Sequence, residues 1–164
     1  MKTVKQLVLF VLFLALFWVL LTSPDRQELI AGVAVILFLM LIFFRQSAVF
    51  GEFKLTLKSI FYSIIYIFVF LFALIRSNLD VAFRVLNPKL PINPGIVKVK
   101  TSLKSRTGRL VLANSITLTP GTLTVETRGD YFYIHWIDVE SGDVEKATHE
   151  IVSTFEKYLE VMFG

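Results

Sequence analysis

The side chains of this 164-residue chain that invite a chemical reading are two histidines, one serine among polar neighbours, and one carboxylate between two arginines. His135 and His149 stand without a Cys anywhere in the chain and without a second His at helix or turn spacing, so they form no metal-ligand pattern. Ser115, beside Asn114 and near Thr117, lacks a Gly-x-Ser-x-Gly elbow and reads as a hydrogen-bonder of a helix or turn, not a nucleophile. Asp80 lies between Arg76 and Arg84 at successive four-residue steps. A carboxylate at membrane depth would mark a proton or cation path. Past the last fully apolar turn, the same spacing makes a salt-bridge ladder in water or headgroups, and this second reading is adopted. There is no Gly-rich phosphate loop either. The sequence therefore assigns no catalytic residue, no metal site and no cofactor, and the chain is read as not an enzyme.

The elements that carry these residues are unusual in composition. Apolar residues make up 55% of the chain and charged residues only 18%, against roughly 25% charged in ordinary soluble domains. Sixteen Phe residues, most of them before position 84, exceed what a core of this size can hold, so the excess must face lipid or other proteins. The absence of Cys excludes disulfides, cysteine-ligated metals, thiol catalysis and palmitoylation. Charge is polarised: residues 89–109 hold six basic and no acidic side chains, whereas residues 126–160 hold nine acidic ones against Arg128, Lys146 and Lys157.

Three apolar runs, residues 7–21, 29–44 and 60–75, carry no ionisable side chain other than Tyr. At about 1.5 Å per residue each covers roughly 24 Å, short of the ~30 Å hydrocarbon layer. Lys5, Arg45 and Arg76 can extend them by snorkelling, which leaves partial or re-entrant helices open. The first run, preceded by Lys2 and Lys5, has the look of a secretory signal, but no Ala-x-Ala pattern follows and a second run begins at once, so an uncleaved helix is expected. Ser23-Pro24-Asp25 is a turn between the first two helices. If all three runs cross, four flanking cations, Arg26, Arg76, Arg84 and Lys89, oppose five, Lys2, Lys5, Arg45, Lys54 and Lys58, and positive-inside counting decides nothing. If only two cross, everything but Arg26 falls inside, yet residues 60–75 are apolar on every face and poorly suited to an interface. Three embedded helices are retained with their crossings open. The third continues past Ile75, with Leu79, Phe83 and Leu86 on one stripe and Arg76, Asp80 and Arg84 on another face.

Residues 87–95, with Pro88, Pro91 and Pro94, cannot continue a helix and mark a linker between a membrane half, 1–86, and a small domain, 96–164. Residues 96–100 alternate like a strand, and Lys98, Lys100 and Lys104 are expected at anionic headgroups. Residues 105–118 read as a helix, although Leu110-Val111-Leu112 also suits a strand. Thr119-Pro120-Gly121-Thr122 is a turn, Arg128-Gly129-Asp130 joins two strands as a tight hairpin, and Val144, Ala147, Ile151, Phe155, Tyr158 and Met162 form one apolar stripe of a final helix capped by Asp143. That stripe should cover Phe132, Ile134 and Trp136. The fold class is thus a membrane α-helical N-terminal half of about three short apolar helices, followed by a small α+β C-terminal domain.

Residues 112–126, with Lys89-Leu90, Pro94-Gly95-Ile96 and Tyr133-Ile134-His135-Trp136-Ile137-Asp138, carry a resemblance. The chain resembles the E subunit of multisubunit cation/proton antiporters of the Mrp or Mnh type. The Leu-Thr-Pro-Gly-Thr-Leu run is the specific part, and the membrane helices match only in being apolar. The resemblance implies a multi-pass accessory subunit, needed for assembly, of a complex exchanging Na+ for H+ across the cytoplasmic membrane of a prokaryote, with its C-terminal domain cytoplasmic. E-like subunits of membrane-bound hydrogenases and other ferredoxin-oxidising, ion-pumping complexes fit it equally. Partners are then other subunits and anionic lipid. A nucleic-acid role is set aside because the basic stretch 98–109 has no aromatic residue for base stacking. Asn114, Thr117, Thr119, Pro120, Gly121 and Thr122 are expected to form a subunit contact.

Overall fold

The computed structural model of the protein describes residues 2–23, 25–43, 51–139 and 142–164. Pro24 of the expected turn, Arg45 and the last residue of the second apolar run, Phe44, lie outside them. The chain forms two compact units, Met1–Phe53 and Lys54–Gly164.

The first unit holds α1 (Lys2–Leu21) and α2 (Arg26–Phe43). With 20 and 18 residues they reach about 30 and 27 Å, because α1 extends back through Lys5 beyond the purely apolar run. Both are long and apolar enough to cross a membrane. Leu16, Phe17, Leu20, Val33, Phe38 and Leu41 are exposed, as befits lipid-facing helices. The two helices meet at one close approach, where the Trp18 indole Nε1 donates to the Glu28 carbonyl at 3.0 Å and the same ring lies on Gly32. A Cβ at Gly32 would stand 2.7 Å from Trp18 Nε1, so only glycine lets the ring keep its bond, as expected of small residues at membrane helix contacts. Gly32→Val should therefore expel the indole and break the Trp18–Glu28 bond. In a Trp136→Phe background, the Trp18 emission maximum and its quenching by lipid-soluble quenchers should change clearly, and an unchanged spectrum would refute this packing. At the other end of the unit, Lys5 Nζ donates to the Phe53 carbonyl at 2.6 Å.

The second unit begins with α3 (Leu57–Leu86), 30 residues and about 45 Å long. Thr56 caps it by accepting from Ser59 N at 3.1 Å, and Pro88 ends it. The Pro-rich stretch that follows holds Leu90 at φ +42°, a left-handed conformation rarely taken by a residue with a branched side chain. Next come β1 (Gly95–Lys100), α4 (Arg106–Leu118), β2 (Thr122–Arg128), β3 (Tyr131–Trp136), α5 (Val144–Ile151) and α6 (Ser153–Phe163). The strands form an antiparallel sheet of order β1-β3-β2, with Val99 opposite Phe132, Val97 opposite Ile134, and an irregularity between Thr124 and Glu126.

One sheet face, Val97, Val99, Phe132 and Ile134, is buried under Leu112 and Ile116 of α4 and Ala147, Ile151 and Leu159 of α5 and α6. The other face, with Lys98, Lys100 and His135, is exposed. Ser105 caps α4 by accepting from Gly108 N, and Asp143 caps α5 by accepting from Glu145 N at 2.8 Å. Gly121 at φ +92° and Gly129 at φ +55° supply the left-handed turn positions. The single final helix expected from the apolar spacing is corrected to two. At the fully buried Val152 the helix yields, Phe155 N bonding the Val152 carbonyl three residues back while the Ser153 hydroxyl bonds the His149 carbonyl. Such hydroxyl back-bonding bends helices. The bend lets Tyr158 turn toward Tyr62 and Tyr66 of α3 while Leu159 stays in the core.

Candidate functional site: a cleft beside the third helix

The third helix is apolar over most of its length but buried along one stripe. Ser59 and Tyr66 are buried, and with Phe70, Ala73, Ser77, Val81 and Arg84 they form an inward stripe at helical spacing. Near its start, Lys54 N donates to the Met162 carbonyl at 2.8 Å and Ser59 Oγ to the Val161 carbonyl at 3.0 Å. Midway, the Tyr66 hydroxyl is hydrogen-bonded to Ser115 Oγ, and its ring meets Phe155 edge-on at 6.3 Å. At its end, Arg84 reaches Asp80 at 2.7 Å, Asp138 at 2.6 Å and the Pro91 carbonyl at 2.8 Å.

From Phe68 to Arg84, α3 forms one wall of an open cleft of about 930 Å³. The facing walls are the 119–122 turn, Trp136-Ile137-Asp138 at the end of β3, and Glu150, Thr154 and Phe155 of α5 and α6. Arg84 is locked by its two carboxylates. Arg76 and Glu150 line the cleft with no charged partner among the described residues. Walls that mix apolar rings with polar and charged groups can bind a segment of matching shape and charge. No group of three or more His, Cys, Asp or Glu that could hold a metal occurs among the described residues.

Of the residues expected to contact a subunit, Thr119, Pro120, Gly121 and Thr122 come together on the cleft wall. The Thr119 hydroxyl donates to the Ile116 carbonyl at 2.8 Å and that of Thr122 to the same carbonyl at 2.6 Å, closing the end of α4. Thr117 instead faces β2, where its hydroxyl accepts from Thr124 N at 3.1 Å, and Asn114 is exposed on α4 outside the cleft. Of the expected headgroup lysines, Lys98 Nζ sits 3.9 Å from the centre of the Tyr131 ring, and Lys100 is exposed on the same sheet face. Lys104 pairs with Asp130 at 2.9 Å across the hairpin, holding that carboxyl below the usual carboxylate range. Asp80 and Arg84 form the i,i+4 pair read from their spacing, while Arg76 stands apart. The residues missed are Tyr66, Asp138 and Glu150. For Tyr66 the signal was the Ser and Tyr interruptions of the third apolar run at three- and four-residue steps, which share one helix face; Asp138 and Glu150 carried no such signal.

The family model described as Na+/H+ ion antiporter subunit, MNHE, matches residues 11–162. The E-type subunit of the Na+/H+ antiporter of Alkalihalophilus pseudofirmus is 38% identical over 149 residues, covering 89% of this chain and 90% of that protein. Its counterpart from Bacillus subtilis is 38% identical over 151 residues, covering 90% and 92%. Among solved structures, a chain of the membrane-bound sulfane sulfur reductase, an archaeal respiratory membrane complex, is 45% identical with a TM-score of 0.84, covering 96% of this chain and 98% of its own. With the match running through both the apolar helices and the α+β elements that build the cleft, this chain belongs to the MNHE family of Na+/H+ antiporter subunits.

Proposed function

We propose that the chain is a non-catalytic accessory subunit of a multisubunit cation (Na+)/proton antiporter in a prokaryotic cytoplasmic membrane. It holds neighbouring subunits, and its C-terminal elements lie in the cytoplasm. The observation that carries this reading is the cleft, whose mixed apolar and polar walls, with Arg76 and Glu150 unpaired among the described residues, suit a protruding segment of a neighbour. The apolar stretches of α1 and α2 hold no ionisable side chain that could relay a proton. Filling the cleft tests it. Thr154→Tyr with Arg76→Glu changes two exposed lining residues and should lower intact complex on native gels and antiport in vesicles together. Losing about 1.4 kcal/mol of contact energy weakens the association constant about tenfold. A fully assembled complex with abolished antiport would argue for direct ion handling instead.

A second reading has its own observation: the chain is 45% identical to a subunit of the archaeal respiratory complex against 38% to the antiporter relatives. It makes this chain the equivalent E-like subunit of a redox-linked, ion-pumping complex. Co-purification with redox subunits from native membranes would select it, and an assembly of antiporter subunits alone would reject it.

A further inference from the structure

We infer that α3 does not cross the bilayer but lies along its surface, on the side that carries the C-terminal unit, with its outer face in the headgroup–acyl boundary. The inward stripe from Ser59 to Arg84 is about 38 Å long at 1.5 Å per residue, longer than the ~30 Å hydrocarbon core. It is tied to polar partners at start, middle and end, namely the Val161 carbonyl, Ser115 and Asp138. A crossing α3 would drag these groups, with Glu150 and the 119–122 turn, to hydrocarbon depth, where each unpaired polar group is costly.

Opposite that stripe, Phe61, Ile64, Phe68, Phe72, Ile75 and Leu79 follow at steps of 3, 4, 4, 3 and 4, all exposed. Lys58 and Arg76, eighteen residues and therefore five turns apart, share one border of this apolar stripe. Length and hydropathy alone would let α3 cross. In the fold, however, its inner face is taken up by polar contacts of Ser59, Tyr66 and Arg84. This leaves an apolar outer face edged on one side by Lys58 and Arg76, as in a helix lying in an interface. Charge selects the same arrangement. With only α1 and α2 crossing, every Lys and Arg from Lys2 to Lys89 falls on one side except Arg26, as the positive-inside tendency requires, whereas three crossings split them nearly evenly.

Lipid is thus the occupant of the outer face. Lys58 meets the headgroups at one border, Arg76 stands where that border opens into the cleft, and Lys98 and Lys100 lie on the exposed face of the sheet. The inference concerns how the chain meets the bilayer and stands whichever complex it serves.

The chain has no Cys, so single substitutions report uniquely on it. In native membranes containing the whole complex, Lys54→Cys and Lys89→Cys flank α3. A membrane-impermeant maleimide should label both in inside-out vesicles and neither in right-side-out ones. Labelling of the two from opposite sides would overturn the inference. Leu55→Cys and Leu90→Cys serve as a second pair should the first fail to accumulate. Nitroxides at Phe61, Phe68, Phe72 and Leu79 should all show oxygen access at one shallow depth. A depth maximum in mid-helix would mean a crossing, and oxygen exclusion at all four would mean a protein cover; either refutes the placement.

Discussion

Phe132→Ala should destabilise the C-terminal unit by about 3–5 kcal/mol, the range for removing a buried aromatic ring without refilling its space. Phe132 is 0% exposed near the start of the central strand, opposite Val99, with the Arg109 guanidinium 5.5 Å from its ring centre. Because domains of this size are stable by only about 5–15 kcal/mol, the loss takes a substantial share of that margin. Denaturant unfolding followed by Trp136 emission in a Trp18→Phe background measures it. Phe132→Leu, which keeps most of the volume, should lose less than about 1.5 kcal/mol. Equal effects of the two substitutions would mean that ring packing is not what holds the sheet to its helices.

Tyr66→Ala should have a comparable effect, about 3–5 kcal/mol, because it removes the ring through which α3 meets α6. That ring contacts Phe155 at 6.3 Å, Tyr158 at 6.5 Å and Phe70 at 6.5 Å between centroids. Tyr66→Phe keeps these contacts and loses only the bond to Ser115, so about 0.5–1.5 kcal/mol is expected. Ser115→Ala should cost a similar amount, and the double variant Tyr66→Phe/Ser115→Ala should fall short of the sum. Hydrogen exchange of the α6 amides in nanodiscs reads the consequence directly. Exchange in Tyr66→Ala should rise along α6, while the amides of α1 and α2, in the other unit, stay unchanged. A uniform rise in both units would show global unfolding and refute a local role for this contact.

Much of the fold was legible because local rules and tertiary packing agree. Val97 and Val99 alternate with lysines and are buried in that alternation, Gly121 and Gly129 occupy the turn positions that need positive φ, and Asp143 caps as its type and place require. The cleft was half legible. Thr119, Pro120, Gly121 and Thr122 stood out as a run, yet their common wall is built by α3, tens of residues earlier, and no local periodicity reports that meeting. Hydropathy counts Phe70 and Phe68 alike as apolar, so it hid the difference between a ring packed on Phe155 and one left exposed. The bend at Val152 was equally invisible, since the apolar spacing of α5 runs on into α6 and only the Ser153 hydroxyl hints at it.

The two outer strands are finished by threonines. Thr148 of α5 accepts from the Lys100 amide at 2.9 Å on β1, and Thr117 of α4 accepts from the Thr124 amide at 3.1 Å on β2. Thr124 in turn donates to the Ala113 carbonyl at 3.1 Å. At those two positions an incoming strand meets an amide donor already taken, so each rim is blunted there against edge-to-edge pairing.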